Sequence, residues 1–497
     1  MSSSVLHIHP RDNVAVALAA LPAGQTVAVA GRSVTLAAAI PTGHKFALTA
    51  LPAGTHILKF GQPIGHATEA IPAGGWVHTH NVKTNLSGVL EYSYQPAIEK
   101  LAPIADGLTF DGYDRSDGEV GIRNEIWILP TVGCVNEVSQ AIRRRLLENE
   151  LPEGVDGVHV YTHPYGCSQL GGDHTNTQKI LADLARHPNA AGVLIVGLGC
   201  ENNTMASFRQ VLGEVDPARY RFLVAQEQTD EITAGVVLAQ ELVAYAAKAK
   251  RQPTPVARLR VGLKCGGSDG FSGITANPLV GAFSDLLVAR GGTSVLTEVP
   301  EMFGAEALFM NRCRTQQVFD ECVAMINGFK EYFLRYNQVV YENPSPGNKD
   351  GGITTLEEKS LGCLQKGGTS EVVDILPYAA RLKQPGLNFL TGPGNDIVSC
   401  TAMAAAGAHL ILFTTGRGTP LGAPVPTLKI ATNSDLATRK ASWIDFNAGR
   451  LLEGATMPDT ANALLRHVVA VASGAVQAKN ELNGFREIAI FKDGVTL

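Results

Sequence analysis

Residue types suited to binding a metal ion recur in short segments of the 497-residue chain. Side chains two residues apart on a strand face the same side, so a His-Thr-His triplet can direct two imidazoles at one ion. Other segments combine imidazole with thiolate, a donor set that suits Fe(II), Zn(II) or Mn(II). The alternatives are an exposed strand end for the His pair and packing inside the fold for Cys167. The predicted metal ligands are His78, His80, His163, Cys167 and Cys200.

Three further residues are candidates for proton transfer. Glu298 and Glu301 flank Pro300, and a buried glutamate can be tuned into a general acid or base. His174 follows a Gly-Gly pair and can exchange a proton near neutral pH. The alternatives are a solvated helix start for the glutamates and a helix cap for His174. We therefore treat these three as candidate catalytic residues.

Substrate binding is predicted for a glycine-rich loop and two cations. The loop with Cys265, Ser268 and Asp269 is rich in backbone N–H donors that can hold a carboxylate, and no GK[ST] follows, so it is not a P-loop. Arg417 follows a predicted strand, where its guanidinium can clamp a carboxylate, and Lys349 can bind an acidic group. The alternative for either cation is a solvated surface position. Together these residues predict an anionic organic substrate.

Two kinds of sequence pattern divide the chain, one typical of β structure and one typical of α/β structure. Leu-Pro-Ala-Gly and Ile-Pro-x-Gly turns alternate with short apolar runs in the first 97 residues, which predicts a small β-rich domain. Residues 98–124 have no clear periodicity and are predicted to be a linker. Apolar runs then alternate with Gly-rich loops and helical patterns, which predicts α/β domains over 125–252 and 253–497 with one or two sheets. Ligands bind beyond the carboxyl ends of strands in such sheets, where the candidate residues fall.

The segment from Tyr341 to Gly368 is polar and too long for an ordinary connection, which predicts a functional loop. Val193–Asn203 reads as a strand followed by Gly-Leu-Gly, but Asn202 stands where a dinucleotide-binding fingerprint needs its third glycine. Nicotinamide dinucleotide binding is therefore disfavoured.

Composition limits the class of protein. Lys and Arg number 41 against 46 Asp and Glu, a net charge of −5, which argues against a general nucleic-acid-binding surface. No apolar stretch approaches the length of a membrane span, and the first twelve residues lack the pattern of a signal peptide. The eight cysteines are widely spaced, so free thiols and a cytoplasmic location are expected.

Long motifs in a fixed order resemble the altronate/galactarate dehydratase family. They include GHKFAL (43–48), VHTHN (77–81), YGCSQLGGDH (165–174), GLGCENN (197–203), CGGSDGFSGITANP (265–278), TEVPEMFGAE (297–306), ENPSPGN (342–348), GGITTLEEKSLGC (351–363) and TTGRGTP (414–420). The resemblance implies an N-terminal SAF-type domain and a divalent metal, Fe(II) in first place and Mn(II) in second. It also implies dehydration of D-altronate to 2-dehydro-3-deoxy-D-gluconate plus water. We expect the enzyme to be a homo-oligomer that acts on this small sugar acid.

Such a reaction requires stabilisation of the enediolate that forms when the C2 proton leaves, and acid or metal assistance to the departing C3 hydroxyl. Within the same family, the alternatives are galactarate dehydration and a sulfo-lyase reaction. Two other possibilities remain open: an iron–sulfur cluster on three of the dispersed cysteines, and a non-catalytic sugar-acid-binding protein.

Overall fold

The N-terminal residues form a β-rich domain, as the Pro-Gly repeats predict. The computed structural model describes residues 4–497. Gly24, Gly43, Gly54 and Gly74 of the repeats all have positive φ, which explains why glycine ends each turn. The strands form sheets in the orders β1-β2-β5-β8, β3-β4 and β6-β7-β9. Their bounds are β1 Val5–Leu6, β2 Val14–Ala17, β3 Thr26–Val29, β4 Arg32–Thr35, β5 Lys45–Ala47, β6 His56–Lys59, β7 Gln62–Ala67, β8 Trp76–Val77 and β9 Val82–Lys83.

A second domain contains a four-stranded parallel sheet of order β13-β12-β14-β15. Helices connect its strands, in agreement with the predicted alternation. The elements are β10 Thr109–Asp114, β11 Val120–Gly121, β12 Glu125–Pro130, α1 Asn136–Leu146, β13 Gly157–Val160, α2 Gly171–Ala185, β14 Ala190–Gly197, α3 Met205–Leu212, β15 Tyr220–Val224, α4 Glu231–Ala246 and β16 Gln252–Pro255.

The segment 98–124, expected to be a linker, contains strands β10 and β11. β10 pairs antiparallel with β11 and with β16, which lies about 140 residues further along the chain. The β10–β16 pairing is long-range and β11 has only two residues, which is why the sequence pattern did not indicate these strands.

The third domain is built on a seven-stranded parallel sheet of order β19-β20-β18-β17-β21-β22-β23. Its central strands are buried along most of their length, as expected of a parallel sheet covered on both faces. The elements are β17 Arg260–Cys265, α5 Ala276–Val288, β18 Thr293–Leu296, α6 Ala307–Met310, α7 Gln316–Arg335, α8 Pro346–Asp350, α9 Leu356–Leu364, β19 Val372–Leu376, β20 Gly386–Leu390, α10 Asp396–Ala405, β21 Leu410–Thr415, β22 Thr427–Ala431, α11 Ser434–Arg439, β23 Phe446–Asn447, α12 Met457–Ala472 and α13 Lys479–Leu482.

The polar segment 341–368, predicted to be a long loop, instead contains helices α8 and α9. All nine residues of α9 are buried, and the Thr355 hydroxyl caps the helix by accepting the Glu358 backbone N–H. Burial of a helix that carries Glu357, Glu358 and Lys359 is unusual, because each charge needs a partner. Those partners come from distant parts of the chain, so the polar composition of the segment does not indicate that it forms a buried helix.

Within residues 4–497, none of the helices combines the length and the apolar character needed to cross a membrane.

Candidate active site

Residues with reactive side chains meet at the carboxyl ends of β17 and β18, the edge where open α/β sheets bind ligands. Cys265 ends β17, and Glu298 follows β18. A 3-10 turn over Val299–Met302 carries Glu301, while α9 contributes Lys359 and Cys363. Three separate segments of the chain therefore build the site.

Cys265, Glu301 and Cys363 form a buried thiol–carboxylate group. The Cys265 and Cys363 sulfurs are 3.2 Å apart, and Glu301 Oε2 lies 3.4 Å from the first and 3.1 Å from the second. Hydrogen bonding to Cys265, together with burial, holds the pKa of the Cys363 thiol well above its ordinary value. A metal ion would therefore have to displace protons in order to bind there.

The donor set of this group fits a divalent transition metal. Its three ligand atoms lie within 4.8 Å of one another, and all three residues are buried. Two thiolates favour a borderline or soft ion such as Fe(II) or Zn(II), while the single carboxylate is also acceptable to Mn(II). The structure thus provides a group able to hold a divalent transition metal.

Three buried lysines surround the thiol–carboxylate group and pair with acidic residues. Lys359 Nζ lies 2.8 Å from Glu301 Oε1. Lys264 pairs with Glu298 and, at 2.9 Å, with Asp396, and Lys366 Nζ is 3.0 Å from the second oxygen of Glu298. Pairing of this kind is what allows so many charges to lie away from water.

The charges of the Lys359–Glu301 pair are mutually stabilised. Burial alone would lower the pKa of Lys359, but the attraction of Glu301 outweighs it and holds that pKa above its ordinary value. Burial alone would raise the pKa of Glu301, but Lys359 and Lys264 outweigh it and hold that pKa well below its ordinary value. Near neutral pH, Glu301 is consequently an anion and Lys359 a cation.

Glu298 has a left-handed backbone, with φ +68 and ψ +48. A non-glycine residue in this region costs about 1–3 kcal/mol and is retained where the surroundings require it. Here the conformation allows one carboxylate to face both Lys264 and Lys366 and to accept the backbone N–H of Cys265 at 3.2 Å. Glu298 therefore fixes the end of β17 relative to two cations.

A central cavity of about 500 Å³ opens beside Glu301. This volume lies within the range of about 300–1,000 Å³ typical of small-molecule sites. Its lining combines glycine backbone, amides and hydroxyls with charged side chains of both signs. The polar and charged residues that line it are Glu301, Glu342, Asn343, Ser345, Asn348, Lys349, Lys359, Asn395 and Asp396.

The N-terminal domain holds α9 through a buried ion triad of Lys45, Lys59 and Glu358. The two ammonium groups lie 2.8 Å from different oxygens of Glu358, and all three side chains are at most 3% exposed. The neighbouring Glu357 accepts hydrogen bonds from the Thr84 hydroxyl and the Asn85 backbone. Consecutive residues of α9 therefore bind the N-terminal domain on one side and the site on the other.

The predicted His ligands lie outside the thiol–carboxylate group. His78 stacks on Trp76, its Nδ1 is 3.1 Å from the Thr354 hydroxyl, and burial lowers its pKa to about 3. His80 lies on Trp76 at 5.1 Å between ring centroids. In His163 both nitrogens bond to backbone: Nε2 is 2.8 Å from the Pro130 carbonyl oxygen, and Nδ1 accepts the Tyr165 N–H.

The remaining candidates in the second domain lie on loops that follow its sheet. Cys167 and Cys200 are exposed. His174 lies in the first turn of α2, and its Nδ1 is buried without a hydrogen-bond partner. None of these residues belongs to the thiol–carboxylate group or lines the central cavity.

Three of the five predicted substrate-binding residues line one of two cavities, whereas Ser268 lines neither of the two and Cys265 belongs to the thiol–carboxylate group. Lys349 lines the central cavity, and Arg417 lines an outer cavity of about 870 Å³ between the N-terminal domain and α11. Asp269 also borders the outer cavity, and its carboxylate accepts hydrogen bonds from Thr432 and Ser272. Ser268 is buried, and its carbonyl accepts from the Asn348 amide.

Sequence reasoning missed Lys264, Lys359, Cys363 and Asp396 as members of this site. Lys264 offered a signal, because a lysine inside an apolar β-type run is rarely buried without a partner. Cys363 and Lys359 offered none, since α9 was interpreted as part of a polar loop.

Three family models match the chain in the order of its domains. The Altronate/galactarate dehydratase SAF domain matches residues 3–85, the D-galactarate dehydratase/Altronate hydrolase second domain matches 112–247, and the D-galactarate/Altronate dehydratase C-terminal domain matches 256–496. The chain belongs to the altronate/galactarate dehydratase family, as the sequence motifs indicated.

Sequence identity to individual relatives differs between the activities found in this family. Altronate dehydratase of Escherichia coli K12 is 54% identical over 493 residues, which cover 99% of both chains. Altronate dehydratase of Bacillus subtilis 168 is 50% identical over 496 residues, covering 99% of this chain and all of the relative. Galactarate dehydratase (L-threo-forming) of Escherichia coli K12 is 33% identical over 509 residues, which cover 98% of this chain and 96% of the relative. The chain is thus a carbon–oxygen lyase of the hydro-lyase type.

Proposed function

We propose that this hydro-lyase converts D-altronate to 2-dehydro-3-deoxy-D-gluconate and water in the central cavity. Identities of 54% and 50% to altronate dehydratases, against 33% to a galactarate dehydratase, support the choice of substrate. The observation that carries the assignment of the site is the thiol–carboxylate group, paired with Lys359 and bordering a cavity of suitable size.

A divalent metal would be held by Cys265, Cys363 and Glu301. Bound there, Fe(II), or in second place Mn(II), supplies Lewis acidity toward substrate oxygens. The two thiolates favour Fe(II) over Mn(II), because manganese prefers oxygen ligands.

The cations of the cavity bind the substrate carboxylate. Lys349 and Lys359 both line it, and a cation opposite the carboxylate stabilises the extra negative charge that develops when the C2 proton leaves. The amides of Asn343 and Asn348 lie 3.1 Å and 3.4 Å from Lys359 Nζ, so they hold this cation in position. Both amides also line the cavity, where they can bond to sugar hydroxyls.

Asp396 accepts the C2 proton in this proposal. It begins α10, lines the cavity, and has a side chain that is 37% exposed and anchored at 2.9 Å to the buried Lys264. The C2–H electron pair forms the C2–C3 double bond, the C3 hydroxyl leaves and takes up a proton to become water, and the enol gains a solvent proton at C3 as it becomes the ketone. Glu298, which does not line the cavity, then acts as a positioning residue for Lys264.

The Asp396→Asn variant is expected to lower kcat by about 10²–10⁴, the usual contribution of a general base. The amide preserves the shape of the side chain but does not accept the proton. Asp435→Asn is the matched control, because Asp435 is exposed and lines only the outer cavity. A wild-type kcat in Asp396→Asn would remove Asp396 from the reaction.

The substrate assignment is tested by anaerobic assays with Fe(II) or Mn(II). D-Altronate, galactarate, D-mannonate and (2R)-sulfolactate are supplied separately, and 2-keto-3-deoxy acid, pyruvate and sulfite are measured. We expect metal-dependent 2-keto-3-deoxy acid from D-altronate in clear preference to the other acids. A preference for galactarate or release of sulfite would reassign the substrate, and binding of a sugar acid without turnover would favour a non-catalytic protein.

A further inference from the structure

Three exposed cysteines of the second domain lie outside the proposed reaction. Cys134 follows β12, Cys167 follows β13 and Cys200 follows β14. These strands are neighbours in the parallel sheet, in the order β13-β12-β14. Parallel strands end at a common edge, so the three loops that carry the thiols meet there.

Backbone hydrogen bonds join the three loops. Gly133 N–H donates to the Tyr165 carbonyl at 2.8 Å, and Asn203 N–H donates to the Gly166 carbonyl at 2.9 Å. The Ser168 N–H in turn donates to the side chain of Asn202 at 2.8 Å. The loop of Cys167 is therefore bonded on one side to the loop of Cys134 and on the other to the loop of Cys200.

Buried polar groups beneath the loops fix this arrangement. One Glu201 oxygen accepts from the Thr131 hydroxyl at 2.8 Å and from Leu198 N–H at 3.0 Å. Asn203 donates to the Thr131 carbonyl at 3.0 Å. A fully bonded buried network of this kind is rigid, whereas the three thiols above it face solvent.

Each of the three loops also leads into a helix. Helices α1, α2 and α3, of 11, 15 and 8 residues, begin two to five residues after Cys134, Cys167 and Cys200. Helix N-termini carry partial positive charge, so three of them at one edge favour negatively charged sulfur ligands.

The distances between these thiols bear on whether they would bind a single ion or a larger metal centre. A tetrahedral ion with metal–sulfur bonds of about 2.3 Å holds its sulfur ligands about 3.8 Å apart. Over residues 4–497, only Cys265, Glu301 and Cys363 bring three ligand atoms within 4.8 Å of one another. The thiols of Cys134, Cys167 and Cys200 do not form such a group in this structure, which favours a centre of several metal atoms, whose thiolate ligands lie farther apart, over a single ion.

We propose that Cys134, Cys167 and Cys200 hold an iron–sulfur cluster, separate from the thiol–carboxylate group. Cysteine thiolates are the usual ligands of such clusters. With three thiolates, a four-iron cluster has one iron without a cysteine ligand. The proposal does not depend on which sugar acid the enzyme uses.

The test is anaerobic reconstitution of the full-length protein with iron, sulfide and a thiol reductant, followed by measurement of bound iron, acid-labile sulfide and visible absorption. Cys134→Ser, Cys167→Ser and Cys200→Ser are each expected to lose most of the sulfide and absorption. Cys265→Ser, which alters the other group, is expected to retain both. Wild-type protein that binds no sulfide, or three variants that retain it, would overturn the proposal.

Alkylation of the native wild-type protein gives a second test that needs no variant. Three cysteines are exposed and five are buried, so unloaded protein is expected to take up three alkyl groups, at Cys134, Cys167 and Cys200. Reconstitution is expected to protect all three from the reagent. Alkylation of these residues at an unchanged rate after reconstitution would contradict the proposal.

Discussion

Glu301→Gln is expected to lower kcat by about 10²–10³. It is also expected to reduce the amount of metal bound per chain. Removing one preorganised electrostatic group from an active site typically costs this much in kcat. Glu301 contacts both thiols of the thiol–carboxylate group and also pairs with Lys359. The amide supplies no negative charge to a bound cation and leaves Lys359 buried without its partner, so two functions are lost together.

The measurements are kcat for D-altronate and bound metal per chain, both under anaerobic conditions. Glu241→Gln is the control, since Glu241 forms an exposed ion pair with Arg221 and such pairs contribute little. Full metal content together with wild-type kcat in Glu301→Gln would exclude the proposed metal ligand set.

Glu358→Gln is expected to lower the free energy of unfolding by about 3–5 kcal/mol, the usual cost of breaking a buried ion pair by removing one partner. The substitution leaves Lys45 and Lys59 charged, buried and without their carboxylate. Because α9 also carries Lys359 and Cys363, kcat is expected to fall as well. Denaturant unfolding measures the first effect, and Glu358→Asp is expected to restore part of both. Unchanged stability in Glu358→Gln would show that the triad does not hold α9.

The carboxylate of Glu358 also makes the free energy of unfolding depend on pH in the acid range. Burial alone raises the pKa of Glu358, but Lys45 and Lys59 outweigh it and lower the pKa to about 2 from an ordinary value of 4.5. The folded state therefore binds fewer protons than the unfolded state between these values. The stabilisation is complete above about pH 4.5 and is lost as the pH falls toward 2, so Glu358→Gln should flatten this part of the wild-type profile.

The parts of the fold that follow local periodicity were predictable from the sequence. The Pro-Gly turns indicated the N-terminal β domain, and apolar runs such as that of β14 indicated the parallel sheets. Helix α9 was not predictable, because the partners that neutralise Glu358 and Lys359 lie about 300 and about 60 residues away. The sequence singled out Cys265 for substrate binding and Glu301 for proton transfer, whereas the contact of both with Cys363 is known only from the tertiary structure.

The active site is tested most directly by a crystal structure of Asp396→Asn with D-altronate bound. We expect the sugar acid in the central cavity, with its carboxylate beside Lys349 and Lys359 and its C2 atom facing residue 396. D-Altronate bound instead in the outer cavity beside Arg417, with the central cavity free of it, would contradict the assignment of the active site.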